Sequence, residues 1–339
     1  MNIAVCVESG NARGMGHIYR SLLLVEYMIE RGETCRILIN DHAPGQRVLE
    51  ESGVPFEVVD LEDLTSQWES ELIRRHRIDL WVNDRMETSE ATAQHVKGTG
   101  AGLVTFDDRG PGCVLSDLHI AALRFSQDSD VSARRTLKGV DYLILSPEVG
   151  RYRRLRSKVE RTVMTFGGVD RFGVTLKVTQ WLKELELPTT VQTGPGFKWH
   201  EELRKIMEDD AGRRLLRLAD DVPSLSALFA EHDLAITGGG ITPFEATGAG
   251  LPCLIVPKTP YEVLNGSVLH DLGAALVVPI HSSLTREVFE EGLAEARRRV
   301  EEMSRRGLSQ PIPNGSLERI HQALREVAAS RPASPTSHD

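Results

Sequence analysis

Residues 233–265, DLAITGGGITPFEATGAGLPCLIVPKTPYEVLN, decide how the rest of the chain is read. Leu234 to Thr237 has the pattern of a buried strand. Gly238, Gly239 and Gly240 follow, and a short helix opens near Ile241. Gly250 and Pro252 close that helix and lead into a second apolar strand, Cys253 to Val256. Glycines before a helix let a ligand approach the backbone closely, and the N–H groups of the first turn face outward. Together with the helix dipole they attract an anion such as a diphosphate. Thr242 adds a hydroxyl, and Glu245, one turn further in, is placed to accept hydrogen bonds from a sugar. Read without a ligand, the same stretch is a strand-to-helix turn with its N-cap; glycine-rich turns alone do not separate the two readings.

Working outward, the same strand–helix alternation runs through the whole chain. Strands are predicted at 3–7, 35–39, 56–59, 80–82 and 103–106, with a later pair near 119–122 and 142–145. Helical patterns cover 18–30 and 64–75. A second series follows, with strands at 163–166, 189–192, 215–218, 234–237, 253–256 and 275–278 and helices at about 284–306 and 316–329. Alternation of this kind builds parallel sheets covered on both faces. The organisation predicted is a Rossmann-like domain over 1–150, a linker at 151–160, a second Rossmann-like domain over 161–315, a helix at 316–330 and a disordered tail at 331–339. Two such domains leave a cleft, and ligands gather at the carboxyl ends of the strands.

Composition narrows the function. The 339 residues suffice for two cores, and 40% hydrophobic with 26% charged residues is globular. A net charge of −9 excludes a general nucleic-acid binder. The basic run from Arg151 to Arg161 reads as a solvated linker. Four scattered cysteines without a C-x-x-C read as buried free thiols. The N-terminus MNIAVCVES is a strand rather than a signal peptide. No apolar run reaches the ~18 residues of a membrane span. A cytoplasmic protein is expected, in which the N-G-S sequons at Asn265 and Asn314 carry no glycan. The 11 histidines lack metal-ligand spacing, and Asp128-Ser129-Asp130 lies in a polar loop, so no metal is expected.

The first strand-to-helix connection is SGNARGMGHIYR, residues 9–20. It is no dinucleotide fingerprint, since Tyr19 stands where the third glycine belongs. Gly14 and Gly16 flank Met15, and His17 begins the helix, with Arg20 one turn on. A histidine at the end of a first strand is placed for proton transfer, because imidazole titrates near neutral pH.

These segments resemble one superfamily. G-x-x-T-x-x-E-x-x-x-x-G-x-P, carried by Gly239, Thr242, Glu245, Gly250 and Pro252, resembles the nucleotide-sugar site of MurG-like GT-B proteins. So does N-G-S-V-L-H-D-L-G-A-A from Asn265 to Ala275, although Glu262 stands where that family has Gln. The 14–20 loop is similar to the G-x-G-H-I-x-R of UDP-sugar hydrolases of pseudaminic-acid and spore-coat polysaccharide pathways (PseG/SpsG type). F-G-G-V-D, with Gly168 and Asp170, resembles their G-G-x-D; read without the resemblance, it is a helix start with an Asp cap. T-F-D-D, with Asp107 and Asp108, resembles their F-D-D. Asp84 matches the aspartate of their D-H-Y, with Arg85 and Met86 replacing His and Tyr.

The resemblance implies an α/β GT-B fold, whose last helix often crosses back to the first domain, and a metal-independent UDP-sugar enzyme. His17 is then the general base for water and Asp84 orients the reacting groups. Gly238, Gly239, Gly240, Ile241, Thr242, Glu245 and Asn265 hold the nucleotide, and Gly14, Gly16, Arg20, Asp108, Gly168 and Asp170 line the substrate. A glycosyltransferase with the same donor site remains open, with Arg85 favouring an anionic acceptor. So does a non-catalytic sugar-nucleotide-binding partner.

Overall fold

The computed structural model describes residues 1–10, 15–123, 133–220, 222, 224–309 and 315–330. The chain divides into two compact units, one comprising Met1–Ile144 with the C-terminal helix, the other Leu145–Ile312. Gly14, the Asp128–Asp130 motif, Asn314 and the tail 331–339 lie outside the described residues.

In the first unit, β1 (Asn2–Val7), α1 (Gly16–Ile29), β2 (Thr34–Ile39), α2 (Ala43–Ser52), β3 (Phe56–Val58), α3 (Trp68–His76), β4 (Leu80–Asp84), α4 (Glu90–Gly98), β5 (Gly102–Phe106), β6 (Leu118–Ala121) and β7 (Thr136–Lys138) follow in order. Their seven-stranded sheet runs β3-β2-β1-β4-β5-β6-β7, parallel throughout. The apolar alternation of β1 explains its double burial. Ile3, Val5 and Val7 pack with Val25 and Met28 of α1, while Ala4 and Cys6 pack on the other face with Trp81 and Leu103.

The second unit repeats the scheme: β8 (Thr162–Thr165), α5 (Val174–Glu184), β9 (Thr189–Gln192), α6 (His200–Met207), α7 (Asp210–Leu215), β10 (Leu216–Ala219), α8 (Leu225–Ala230), β11 (Leu234–Thr237), α9 (Thr242–Gly248), β12 (Cys253–Ile255), α10 (Pro260–Asp271), β13 (Ala275–Val277), α11 (Arg286–Arg298) and α12 (Val300–Ser309). Its parallel sheet runs β10-β9-β8-β11-β12-β13. The last helix, α13 (Ser316–Ala329), belongs to the first unit, where Ile320, Leu324 and Val327 join the core of β1 and α1. Strand order reverses between β1 and β4 in one sheet and between β8 and β11 in the other. Crevices at such reversals are where open α/β sheets bind ligands.

Three expectations are corrected. The strand predicted at 142–145 is absent: β7 takes the sheet edge earlier, and Leu143, Ile144 and Leu145 are buried in irregular chain after a 3₁₀ turn at Val140–Tyr142. The long helix over 284–306 is two helices, parted at Arg299. The run 151–160 is not solvated throughout, for Arg156 within it is 1% exposed. Its guanidinium donates to the carbonyls of Phe229 at 3.0 Å, His232 at 3.3 Å and Ala249, while Arg154 donates to those of Ala230 at 3.0 Å and His232 at 2.8 Å. These arginines satisfy orphan carbonyls at the ends of α8 and α9, where the helix dipole also favours positive charge. All four cysteines are buried and free, and no helix among the described residues is long and apolar enough to cross a membrane.

Candidate functional site

At the reversal point of the first sheet, the carboxyl ends of β1 and β4 stand side by side, with Val7 in register with Asp84. Gly16 is the exposed first residue of α1, His17 follows it, and Arg20 and Ser21 lie one turn on. Asp84, the last residue of β4, is the hub. His17 Nδ1 lies 2.7 Å from Asp84 Oδ1, Arg20 Nε donates to Oδ2 at 2.8 Å, and the Ser21 hydroxyl donates to Oδ2 at 2.7 Å. The other arm of Arg20 pairs with Asp107, and its guanidinium lies 5.6 Å from the centre of the Phe106 ring.

This arrangement has a definite charge state. Burial alone would push the Asp84 carboxyl up, but Arg20 and His17 hold it well below the usual carboxylate range. Burial opposes the charge on Arg20 as well, and the two aspartates reverse that and hold it firmly protonated. An ionised Asp84 can only accept, so Nδ1 carries the hydrogen and donates it to Oδ1, which in the neutral ring leaves the lone pair on Nε2. The His17 side chain is 15% exposed where Asp84 is 3%. The geometry is therefore that of an accessible imidazole base oriented by a buried carboxylate.

Asp107 and Ser21 escaped the sequence reading as site residues. The signal for Asp107 was its place just after β5, the strand that pairs with β4. It adopts φ 47°, a left-handed conformation uncommon for a non-glycine residue, while its Oδ1 accepts the Leu123 N–H at 2.9 Å. Asp108, predicted to face substrate, is spent on the backbone: it accepts the N–H groups of Thr88 at 2.9 Å and Gly110 at 2.7 Å, together with the Thr88 hydroxyl. Asp107 is the one of the pair that reaches Arg20. Arg85 touches the Leu61 carbonyl at 3.4 Å, and its buried Nε has no partner.

The second sheet brings together the glycine segments after β8 and β11. Gly167 needs its φ of 81°, and Gly168 lies against Gly194, where a Cβ on Gly194 would come within 2.4 Å of its Cα. Asp170 caps α5, accepting the Thr175 N–H at 2.6 Å, and its other oxygen is buried without a partner. In the triple glycine, a Cβ on Gly239 would stand 2.1 Å from the Glu262 carbonyl, and one on Gly238 would stand 3.0 Å from Glu262 Oε2; only Gly240 has open space beside it. Gly238 and Gly239 are thus fitted closely against Glu262 and Lys258.

Beyond the glycines, Ile241 occupies the N-cap of α9 and provides no side-chain cap, so the turn at Thr242 depends on backbone N–H groups alone. Glu245 is partly buried, and its carboxylate accepts the Ser146 N–H at 3.4 Å. Burial pushes its pKa up to about 7, with that weak bond pulling the other way. Asn265 lies buried on α10, next to Gly266, whose lack of a side chain lets the helix pack on Ile255 and Val277. Lys258, which the sequence reading passed over, donates to the Phe166 carbonyl at 2.8 Å and so joins the two glycine segments.

No protein-family model matches the chain. It is 26% identical over 273 residues to the uncharacterized protein MJ1062 of Methanocaldococcus jannaschii, a match covering 76% of this chain and 55% of that protein. It is 25% identical over 290 residues to the spore coat polysaccharide biosynthesis protein SpsG of Bacillus subtilis, covering 81% of this chain and 83% of that one. Among solved structures, MurG of Acinetobacter baumannii superposes with a TM-score of 0.68 at 16% identity, covering 96% of this chain and all of that one. The glycosyltransferase VinC in complex with dTDP gives 0.63 at 17% identity, covering 97% of this chain and all of that one. The two Rossmann-like units are thus those of the GT-B fold.

Proposed function

We propose that the protein is a sugar-nucleotide enzyme that hydrolyses a UDP-sugar of a surface-glycan or nonulosonic-acid pathway. The 2.7 Å contact of His17 Nδ1 with Asp84 carries this reading. His17 Nε2 takes a proton from water as the water oxygen bonds to the anomeric carbon. The bond from that carbon to the diphosphate oxygen breaks, and UDP leaves with its electron pair. Asp84, held by Arg20 and Ser21, orients the imidazole and stabilises the imidazolium that forms. Gly240, Ile241 and Thr242 receive the diphosphate with backbone N–H groups, and Glu245 receives the ribose hydroxyls. The similarity to SpsG, a spore coat polysaccharide biosynthesis protein, and to VinC, which binds dTDP, supports the substrate class. Buried free thiols fit a cytoplasmic setting.

A second reading, transfer to an anionic acceptor hydroxyl, is favoured by Arg85, whose buried Nε lacks a partner. Incubating the protein with a panel of UDP- and dTDP-sugars, with and without sugar acceptors, separates the two by release of the diphosphate. Release without acceptor supports hydrolysis, and release only with acceptor supports transfer. Binding with no release under either condition supports a non-catalytic role. His17→Asn should slow release by about 10²–10⁴-fold while leaving UDP affinity unchanged. A near-normal rate in that variant excludes His17 as the base.

A further inference from the structure

The glycine loop after β11 already holds an anion, and that anion belongs to the chain. Glu262 Oε2 accepts the N–H of Gly239 at 3.1 Å and the N–H of Lys258 at 2.7 Å. The Lys258 ammonium lies 3.5 Å from Glu262 Oε1. The close fit of Gly238 and Gly239 against Glu262 and Lys258 shows that this corner is built around the pair. Two convergent backbone N–H groups and a lysine ammonium are the donors a phosphoryl group would use. Both side chains keep a solvent-facing fraction, 15% for Lys258 and 17% for Glu262, so the carboxylate is able to leave without unpacking the core.

From this we infer that Glu262 is an intramolecular competitor for the phosphoryl-binding groups of the loop. Its carboxylate occupies the Gly239 and Lys258 amides and neutralises Lys258. On binding, a diphosphate oxygen replaces it there, and Lys258 becomes a direct counter-charge to the ligand. The pair thereby sets how strongly the site holds phosphoryl groups and how readily it releases them. The inference rests on the nucleotide-sugar reading above. It adds Lys258 as a binding residue and makes Glu262 the residue that weakens diphosphate binding, because a carboxylate left beside a diphosphate would repel it at close range.

The test is calorimetric titration of UDP, inorganic pyrophosphate and uridine into the wild-type protein, Glu262→Gln and Lys258→Met. Glutamine keeps an oxygen to accept the two N–H groups but loses the charge. It should bind UDP and pyrophosphate about tenfold more tightly, with uridine unchanged. Lys258→Met should bind both phosphorylated ligands at least about tenfold more weakly, again with uridine unchanged. Melting curves without ligand establish that each variant is folded; Glu262→Gln decides the competitor role and Lys258→Met the part of the lysine. UDP affinity in Glu262→Gln equal to or below wild type overturns the competitor role. A fall confined to uridine would show instead that the carboxylate holds the nucleoside, and unaltered binding by Lys258→Met removes the lysine. If the wild-type protein binds neither UDP nor pyrophosphate, the nucleotide site itself is refuted and this inference with it.

Discussion

Glu245 offers the most quantitative test of the nucleotide site, through proton linkage. Burial pushes its carboxyl from 4.5 up to about 7, and the Ser146 N–H at 3.4 Å compensates only weakly. Ribose hydroxyls donating to the carboxylate favour its ionised form, so binding expels a proton. If the pKa in the complex returns to the ordinary 4.5, UDP affinity falls by about thirtyfold between about pH 8 and about pH 5.5, or about 2 kcal/mol. Calorimetry across that range measures it. The ligand's terminal phosphate titrates in the same window, so Glu245→Gln provides the baseline and should lack the Glu245 share of the dependence. The sign for stability follows from the same shift. The folded pKa lies above the unfolded one, so the contribution of the protonated carboxyl is complete below about pH 4.5 and is lost as pH rises through about 7. Glu245→Gln should therefore melt close to wild type in acid and above it at pH 8, by up to about 3 kcal/mol. Superimposable affinity profiles for the two proteins would refute the assignment of Glu245 to the ribose.

Other outcomes follow from the same geometry. Arg20→Met leaves Asp84 and Asp107 buried without their cation and should destabilise the first unit by about 3–5 kcal/mol, read by chemical denaturation. Gly240→Val places its side chain in open space and should remove UDP binding with little change in melting temperature. Gly239→Val drives a Cβ to 2.1 Å from the Glu262 carbonyl and should itself unfold or distort the loop. UDP should raise the melting temperature equally with and without chelator, since backbone N–H groups supply the counter-charge; protection that needs a divalent ion contradicts the site.

The repeated pattern of short apolar runs and amphipathic segments by itself determined the two α/β units, because burial of both faces of a parallel sheet writes itself into local composition. The glycine segments and the His17 loop stood out for the same local reason: they occur where strands end. Partner choice was not local. Asp107 and Asp108 are neighbours of identical chemistry, yet one meets Arg20 and the other caps backbone N–H groups of Thr88 and Gly110. Arg154 and Arg156 read as solvated charge until the ends of α8 and α9 supply carbonyls for them. The run at 142–145 is as apolar as a strand, but it follows the edge strand β7 as irregular chain and is buried by side-chain packing instead. Gly238 and Gly239 look like space for a ligand, and only the packing of α10 shows that Glu262 and Lys258 fill it. In each case the residue's own chemistry was plain from the sequence, and the tertiary structure decided what it meets, because those partners are brought together by sheet order and helix packing rather than by position along the chain.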